Sequence, residues 1–298
     1  MTAPDIVVVG AASRDLRPSD PRGWRLGGGV TYSARLLGQL GMSVGALIGV
    51  DSQASEAHEL DELRVLGVVT EMVALEQGPV FDNRQTPAER VQIAYGISDE
   101  LPPEALPTAW QTACAYLLNP VAGEIGQIWA EALPSDALVA LGYQGLLRTL
   151  RPGAPVEARP IVLGPLSHRA DLAALSSEDV RAGAPPLRRL LARDEQCLVV
   201  TEGSLGALHV RRSNGRFLLR FVPAVPARGG VDATGAGDTF LAAWLAATLT
   251  LRARGRADAR CLALAALCAS LLVEGNGVSR KAIRDRSAGF KLRDGGSS

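Results

Sequence analysis

Asp232-Ala-Thr-Gly-Ala-Gly-Asp238-Thr-Phe240 follows an expected strand end and opens an apolar helical run from Thr239 to Leu251. Gly235 and Gly237 permit a sharp turn with positive φ, and neither carries a Cβ to block a ligand. The N–H groups of a first helical turn lack intrahelical partners and carry the positive end of the helix dipole. Such a loop accepts an anion and stabilises a phosphoryl group during transfer. Asp238 lies in the same turn, where a carboxylate can take the proton of an attacking alcohol. A plain helix N-cap would account for Asp238 alone. The full string ahead of an apolar helix favours an anion site with its own base.

Outward from this loop, short apolar strands alternate with helical patterns. Ile6–Val9, ending at Gly10, reads as a buried strand, as does Val44–Val50. Gly27-Gly28-Gly29 precedes a helix from Thr31 to Leu40 closed by Gly41, and His58–Leu66 reads as a second helix. Further strands are expected at Tyr116–Leu118, Ala137–Leu141, Ala173–Leu175 and Cys197–Thr201, with an apolar helix over Asp258–Val273. The alternation predicts an α/β fold with a mostly parallel central sheet and helices on both faces. Residues 72–98 break the rhythm and are expected to lie off the main sheet as a flap. Residues 205–226 read as a hairpin turning at Ser213-Asn214-Gly215. The Pro/Gly-rich stretches 151–155 and 183–186 read as surface loops, and the terminal Gly-Gly-Ser-Ser as frayed. One domain over 1–298 is expected, with lid segments at approximately 12–26 and 75–97.

Composition narrows the function. Of 298 residues, 47% are hydrophobic and 21% charged, as in ordinary globular chains. Lys+Arg and Asp+Glu both number 31, so net charge gives no reason to expect nucleic acid or an anionic membrane as partner. Cys114, Cys197, Cys261 and Cys268 form no C-x-x-C and read as buried free thiols in a reducing compartment. His58, His168 and His209 lack metal-ligand spacing, which argues against zinc. The start MTAPDIVVVG lacks a signal-peptide pattern, and no apolar run reaches about 18 residues, so a cytoplasmic protein is expected. Gly10-Ala-Ala-Ser is not the Gly-x-Gly-x-x-Gly of a dinucleotide site, and no P-loop string occurs. The two lysines, Lys281 and Lys291, both stand near the carboxyl terminus. Phosphate charge would therefore be met by Arg, backbone N–H groups and Mg²⁺.

The 232–238 string resembles the carboxyl-terminal signature of the ribokinase-like (PfkB-type) carbohydrate kinases, Asp-Thr-Thr/Pro-Gly-Ala-Gly-Asp, with Ala233 in place of the first Thr. That resemblance implies a three-layer sandwich with a small β lid. It also implies ATP-dependent transfer of the γ-phosphoryl group to a hydroxyl of a sugar or polyol. Asp238 would be the catalytic base, and Gly235, Ala236 and Gly237 the anion hole. Asp232 would help hold a monovalent cation such as K⁺ where members use one.

Residues 27–41 are similar to the family's Gly-Gly-x-x-x-Asn-x-Ala…Leu-Gly, with Tyr32 where many members have Asn. This makes Gly27, Gly28 and Tyr32 acceptor contacts. Asp15 in Gly10-Ala-Ala-Ser-Arg-Asp15 stands where the family binds two sugar hydroxyls, a task suited to a carboxylate. Thr201-Glu-Gly203-Ser-Leu-Gly206 is similar to the nucleotide-site Thr-x-Gly-x-x-Gly. Ser176-Ser-Glu178-Asp179 falls where Asn-x-x-Glu serves Mg²⁺, which makes Asp179 a metal candidate. Ser176 as a helix N-cap explains the same residues. Segments around Phe81–Gln92 and Tyr143–Arg148 resemble those of members acting on inositol-like polyols or on unassigned substrates, so Arg90 and Gln144 join the acceptor candidates.

Two alternatives stand beside this reading. One is a nucleoside kinase of the same fold, disfavoured by an aromatic content of 4% that leaves few stacking platforms for a base. The other is a catalytically silent sugar-binding or regulatory homologue. A homodimer through the lid edges is a further expectation.

Overall fold

The computed structural model describes residues 3–85, 90–180, 187–229, 232–251, 257–275 and 277–288. The chain begins with β1 (Ile6–Ala11), β2 (Ser13–Leu16), β3 (Trp24–Gly27), α1 (Gly29–Gln39), β4 (Val44–Val50), α2 (His58–Val65) and β5 (Val69–Ala74). There follow β6 (Val80–Gln85), β7 (Arg90–Gly96), β8 (Ala115–Leu118), α3 (Trp129–Ala132), β9 (Leu138–Gly142), β10 (Arg148–Thr149), β11 (Ala154–Pro155) and β12 (Glu157–Ala158). Next come α4 (Pro165–Arg169), β13 (Leu172–Ser176), α5 (Ser177–Val180), α6 (Leu187–Leu190) and β14 (Cys197–Thr201). The chain closes with β15 (Ala207–Ser213), β16 (Arg216–Val222), α7 (Ala236–Leu251), α8 (Ala257–Val273) and α9 (Arg280–Ala288).

The main sheet has the order β16-β15-β14-β13-β9-β8-β1-β4-β5. From β5 to β14 its neighbours pair in parallel, and β15 and β16 then run antiparallel. The central strands explain why the fold is layered. Every residue of β1 and β4 is buried, so both faces of the sheet need cover. Period-two alternation splits β1 between two cores. Ile6 and Val8 pack with residues of α1, α2, α7 and α8, while Val7 and Val9 pack with Trp110, Tyr116, Trp129 and Leu166 on the opposite face. The fold is thus α/β, with a large, mostly parallel sheet between helical layers.

A second sheet has the order β11-β7-β6-β2-β3. Four of its strands come from the segments read as lid candidates, and Ala154–Pro155 adds the fifth. Those two residues were expected in a surface loop; instead they pair antiparallel with Ile93 and Ala94. A second correction concerns the start of the 72–98 segment. β5 is a parallel edge strand of the main sheet, paired with β4, and only β6 and β7 leave it. Edge position explains its loose pattern, because most of its residues keep some exposure. Residues 183–186 and the terminal Gly-Gly-Ser-Ser lie outside the described residues.

Carboxylates of the main body hold this second sheet, among them Asp51, which pairs with Arg14 of β2, and Glu59. Glu59 of α2 accepts hydrogen bonds from Arg22 Nη1 and Nη2 at 2.9 and 2.7 Å, and from the Leu26 N–H at 3.1 Å. Arg22 also lies 4.5 Å above the Trp24 ring. At the other end of the chain, the hairpin turns at Asn214 and Gly215 with φ of 48° and 71°, the left-handed pair that a two-residue turn requires. Among the cysteines, Cys197, Cys261 and Cys268 are buried, but Cys114 is exposed, contrary to expectation. No helix among the described residues is long and apolar enough to cross a membrane.

Candidate active site

The crevice lies where the carboxyl ends of β1, β8 and β9 meet the first turn of α7, the usual ligand position in open α/β sheets. Gly235, with φ of 81°, reverses the chain just ahead of that turn. Ala236 and Thr239 direct their N–H groups to the carbonyls of Ala233 and Gly235 at 3.1 and 2.9 Å. The N–H groups of Gly237 and Asp238 stand at the open end of the helix. A Cβ built on Gly237 meets no described atom within 4 Å, so this side of the loop faces open space.

Asp238 is positioned by a residue that the sequence did not single out. Asn119, one residue past β8 and 2% exposed, donates from Nδ2 to Asp238 Oδ1 at 2.9 Å and to Ser33 Oγ at 3.1 Å. Glycines make room for it. A Cβ on Gly29 would fall 2.6 Å from the Asn119 side chain, a Cβ on Gly10 would fall 2.8 Å from its carbonyl oxygen, and a Cβ on Gly142 would collide with its Oδ1. Burial pushes the Asp238 pKa above the ordinary aspartate value and the charge of Asp15 adds to the rise, against the Asn119 hydrogen bond and the positive charge of Arg148. A raised carboxyl pKa suits a proton acceptor.

The residues expected to meet the acceptor lie on β2, at the end of β3 and just after it. Asp15 is 6% exposed and accepts a 2.9 Å hydrogen bond from Ser13 Oγ. Gly27 lies so close that a Cβ there would stand 2.5 Å from Asp15 Oδ2. Gly28, with φ of 96°, turns the chain into α1 and passes against the Ala11 carbonyl. The fully buried Glu124 accepts the N–H of Ala11 at 2.8 Å, of Val121 at 3.1 Å and of Ala122 at 2.8 Å. It therefore ties the end of β1 to the loop after β8 that carries Asn119. Arg148, also missed by the sequence reading, opens β10, lies 5.9 Å from the centre of the Phe81 ring and acts electrostatically on Asp238. Gln144 is half-buried in the turn after β9. Arg90 begins β7, and its side chain lies outside the described residues.

Tyr32 does not stand free in the crevice. Its ring packs against Gly235, where any Cβ would overlap the ring carbons, and burial raises its pKa to about 12. Asp232, at the root of the anion loop, is engaged at both oxygens. Oδ1 accepts the Thr234 N–H at 2.9 Å and Oδ2 accepts Arg25 Nη2 at 2.7 Å, with Arg17 Nη1 at 3.9 Å. Burial alone would raise this carboxyl, but Thr234 and Arg25 outweigh it and bring it down to about 2.

The nucleotide-side candidates line the same edge of the sheet. Thr201 ends β14, and Gly203 and Gly206, with φ of 54° and 110°, shape the turn into β15. Asp179 forms a reciprocal cap with Ser176. Its Oδ2 accepts the Ser176 N–H and Oγ at 2.9 and 2.8 Å, and Ser176 Oγ accepts the Asp179 N–H at 3.2 Å. The N-cap is thus present, and among the described residues Asp179 Oδ1 has room for a second partner. No cluster of three or more metal-ligating side chains occurs among the described residues. A Mg²⁺ that arrives on donor phosphates needs only one or two protein carboxylates, so Asp179 fits that limited part.

This architecture is the fold of the ribokinase-family kinases. A pyrophosphate-dependent kinase of the ribokinase family, solved with a pyrophosphate analog and myo-inositol, superposes with a TM-score of 0.68 at 19% identity, over 94% of this chain and 99% of its own. Ribokinase from Giardia lamblia gives 0.70 at 16%, over 96% and 100%. A sugar kinase from Pyrococcus horikoshii, solved with ATP, gives 0.68 at 18%, over 96% and 98%. Residues 169–284, which include the anion loop, match the pfkB family carbohydrate kinase model. Over that stretch the chain is similar to the pfkB family carbohydrate kinases, and its fold is that of the ribokinase-family structures. No curated protein sequence matches it.

Proposed function

We propose that the protein transfers the γ-phosphoryl group of ATP to a hydroxyl of a sugar or polyol. The observation that carries this reading is the Asp238 carboxyl, held by Asn119 in the first turn of α7, beside a loop that faces open space at Gly237. Asp15 accepts hydrogen bonds from neighbouring acceptor hydroxyls and so turns one of them toward Asp238. As that oxygen attacks phosphorus, its proton passes to Asp238. The 235–238 amides and Arg148 meet the charge that develops on the phosphoryl oxygens. Asp179 would hold a Mg²⁺ carried on the donor phosphates, and that ion would offset part of their charge. The lid sheet covers the acceptor and excludes water, which limits hydrolysis of the donor. The acceptor assignment draws support from the carbohydrate kinase family model and from the myo-inositol in one structural neighbour.

The test is donor consumption by the purified protein with ATP and, separately, with pyrophosphate, against sugars, inositols and nucleosides. Turnover stimulated by one sugar or polyol, and lost in Asp238→Asn, supports the reading. Turnover with nucleosides alone would replace the acceptor class. Binding without donor consumption would favour a silent homologue.

A further inference from the structure

The carboxylate expected to hold a monovalent cation already has a cation of its own. Arg25 of β3 places Nη2 2.7 Å from Asp232 Oδ2, and the other carboxylate oxygen is taken by the Thr234 N–H. The residues present therefore do not fit K⁺ at this carboxylate. We propose that Arg25 is a positioning residue that does the work of a monovalent cation at the root of the anion loop, so that the protein acts without one.

The chemistry of the replacement is direct. A cation at Asp232 would neutralise the carboxylate and fix the turn that begins the loop. The guanidinium does both, and it is permanently charged at any working pH. Its place is built into the lid. Arg25 stands directly opposite Asp15 in the β2–β3 register, so a second carboxylate faces it across the strands. Tyr32 packs behind Gly235 and flanks the pair, and its ring fixes the far side of the same turn. Arg25 and Asp232 also line a groove of about 910 Å³ that runs along α1, α2, Leu272, Val273 and Val278. Water and small ions can reach Asp232 from that groove once the guanidinium is gone.

Two measurements test the proposal, and the first needs no turnover. Wild-type melting temperature is compared in KCl, NaCl and choline chloride at one ionic strength. It is expected to be the same in all three. A saturable rise with K⁺ alone overturns the proposal, whether or not the protein proves to be a kinase. The second measurement rests on the phosphotransferase reading and uses Arg25→Ala. Loss of one charge-assisted bond predicts a fall in kcat of about tenfold to a hundredfold, with a smaller change in acceptor KM. Added guanidinium ion, or K⁺ reaching the vacated carboxylate, is expected to restore part of it, as a general structural defect would not allow. Unchanged kcat in choline chloride overturns the proposal. If Arg25→Ala does not fold, Asp232→Asn, which removes the charge that needs a partner, serves in its place and is expected to show no response to guanidinium or K⁺.

Discussion

Asn119 and Asp238, 119 residues apart in the chain, meet through a 2.9 Å hydrogen bond from Nδ2 to Oδ1. Because the amide has a second bond to Ser33 Oγ, it cannot rotate without breaking one of the two. The Asp238 carboxyl is therefore aimed before any ligand arrives, which is the preorganisation that a proton acceptor needs. Asn119→Ala is expected to lower kcat by about tenfold to a hundredfold, the value of a hydrogen bond to a charged group. Since this bond pulls the Asp238 pKa down, its loss moves the acid limb of kcat/KM to higher pH. A pH–rate profile of the variant reads both effects.

Asp238→Asn carries an opposite pair of expectations. Turnover falls by about 10²–10⁴ if the carboxylate is the general base. Stability does not fall with it. A carboxyl whose folded pKa lies above its unfolded value costs stability as pH rises through the window between the two. Asparagine removes that cost and keeps an acceptor oxygen for Asn119. Thermal melts at pH 5 and pH 8 should show the variant at or above wild type at the higher pH.

Glu59 has the reverse sign. Its burial raises its pKa, but Arg22 and the Leu26 N–H outweigh this and bring it to about 2. The stability it contributes is fully present above the ordinary glutamate range and is lost as pH falls toward 2. Glu59→Gln is expected to cost about 1.5–3 kcal/mol at pH 7 and much less near pH 2, measured by denaturant unfolding. Hydrogen exchange should show the loss first in β2 and β3, which this carboxylate fastens to α2.

Gly235→Ala tests the anion loop itself. A left-handed φ of 81° and the Tyr32 ring both oppose a methyl group there. A destabilisation of about 1–3 kcal/mol is expected, together with loss of donor turnover. A Tyr32→Ala background opens the space without relieving the backbone, so only part of the loss should return.

The buried strands were legible because their chemistry is local. Runs such as Val44–Val50 have no polar face to place in water, and only a sheet covered on both sides accepts them. β5 and Ala154–Pro155 were not legible because edge pairing imposes little on sequence. In the site, Gly235 and Asp238 announced themselves through spacing along a single helix start. Asn119 and Arg148 did not, because a lone Asn or Arg after an apolar strand carries no local signal, and their role exists only through contacts across the sheet. Arg25 is the sharpest case. Nothing in Trp24-Arg-Leu-Gly27 indicates that its partner stands 207 residues later. That contact turns an expected ion ligand into half of a salt bridge.

The sheet order has a kinetic consequence. β1 sits between β8 and β4, and Asp238 meets Ser33 and Asn119, which stand 205 and 119 positions away in the chain. Refolding must close these long loops before the crevice exists, a slow kind of search. Helical signal should therefore recover early in a refolding experiment, while the ability to turn over the donor returns last and marks the molecules whose central strands have found their register.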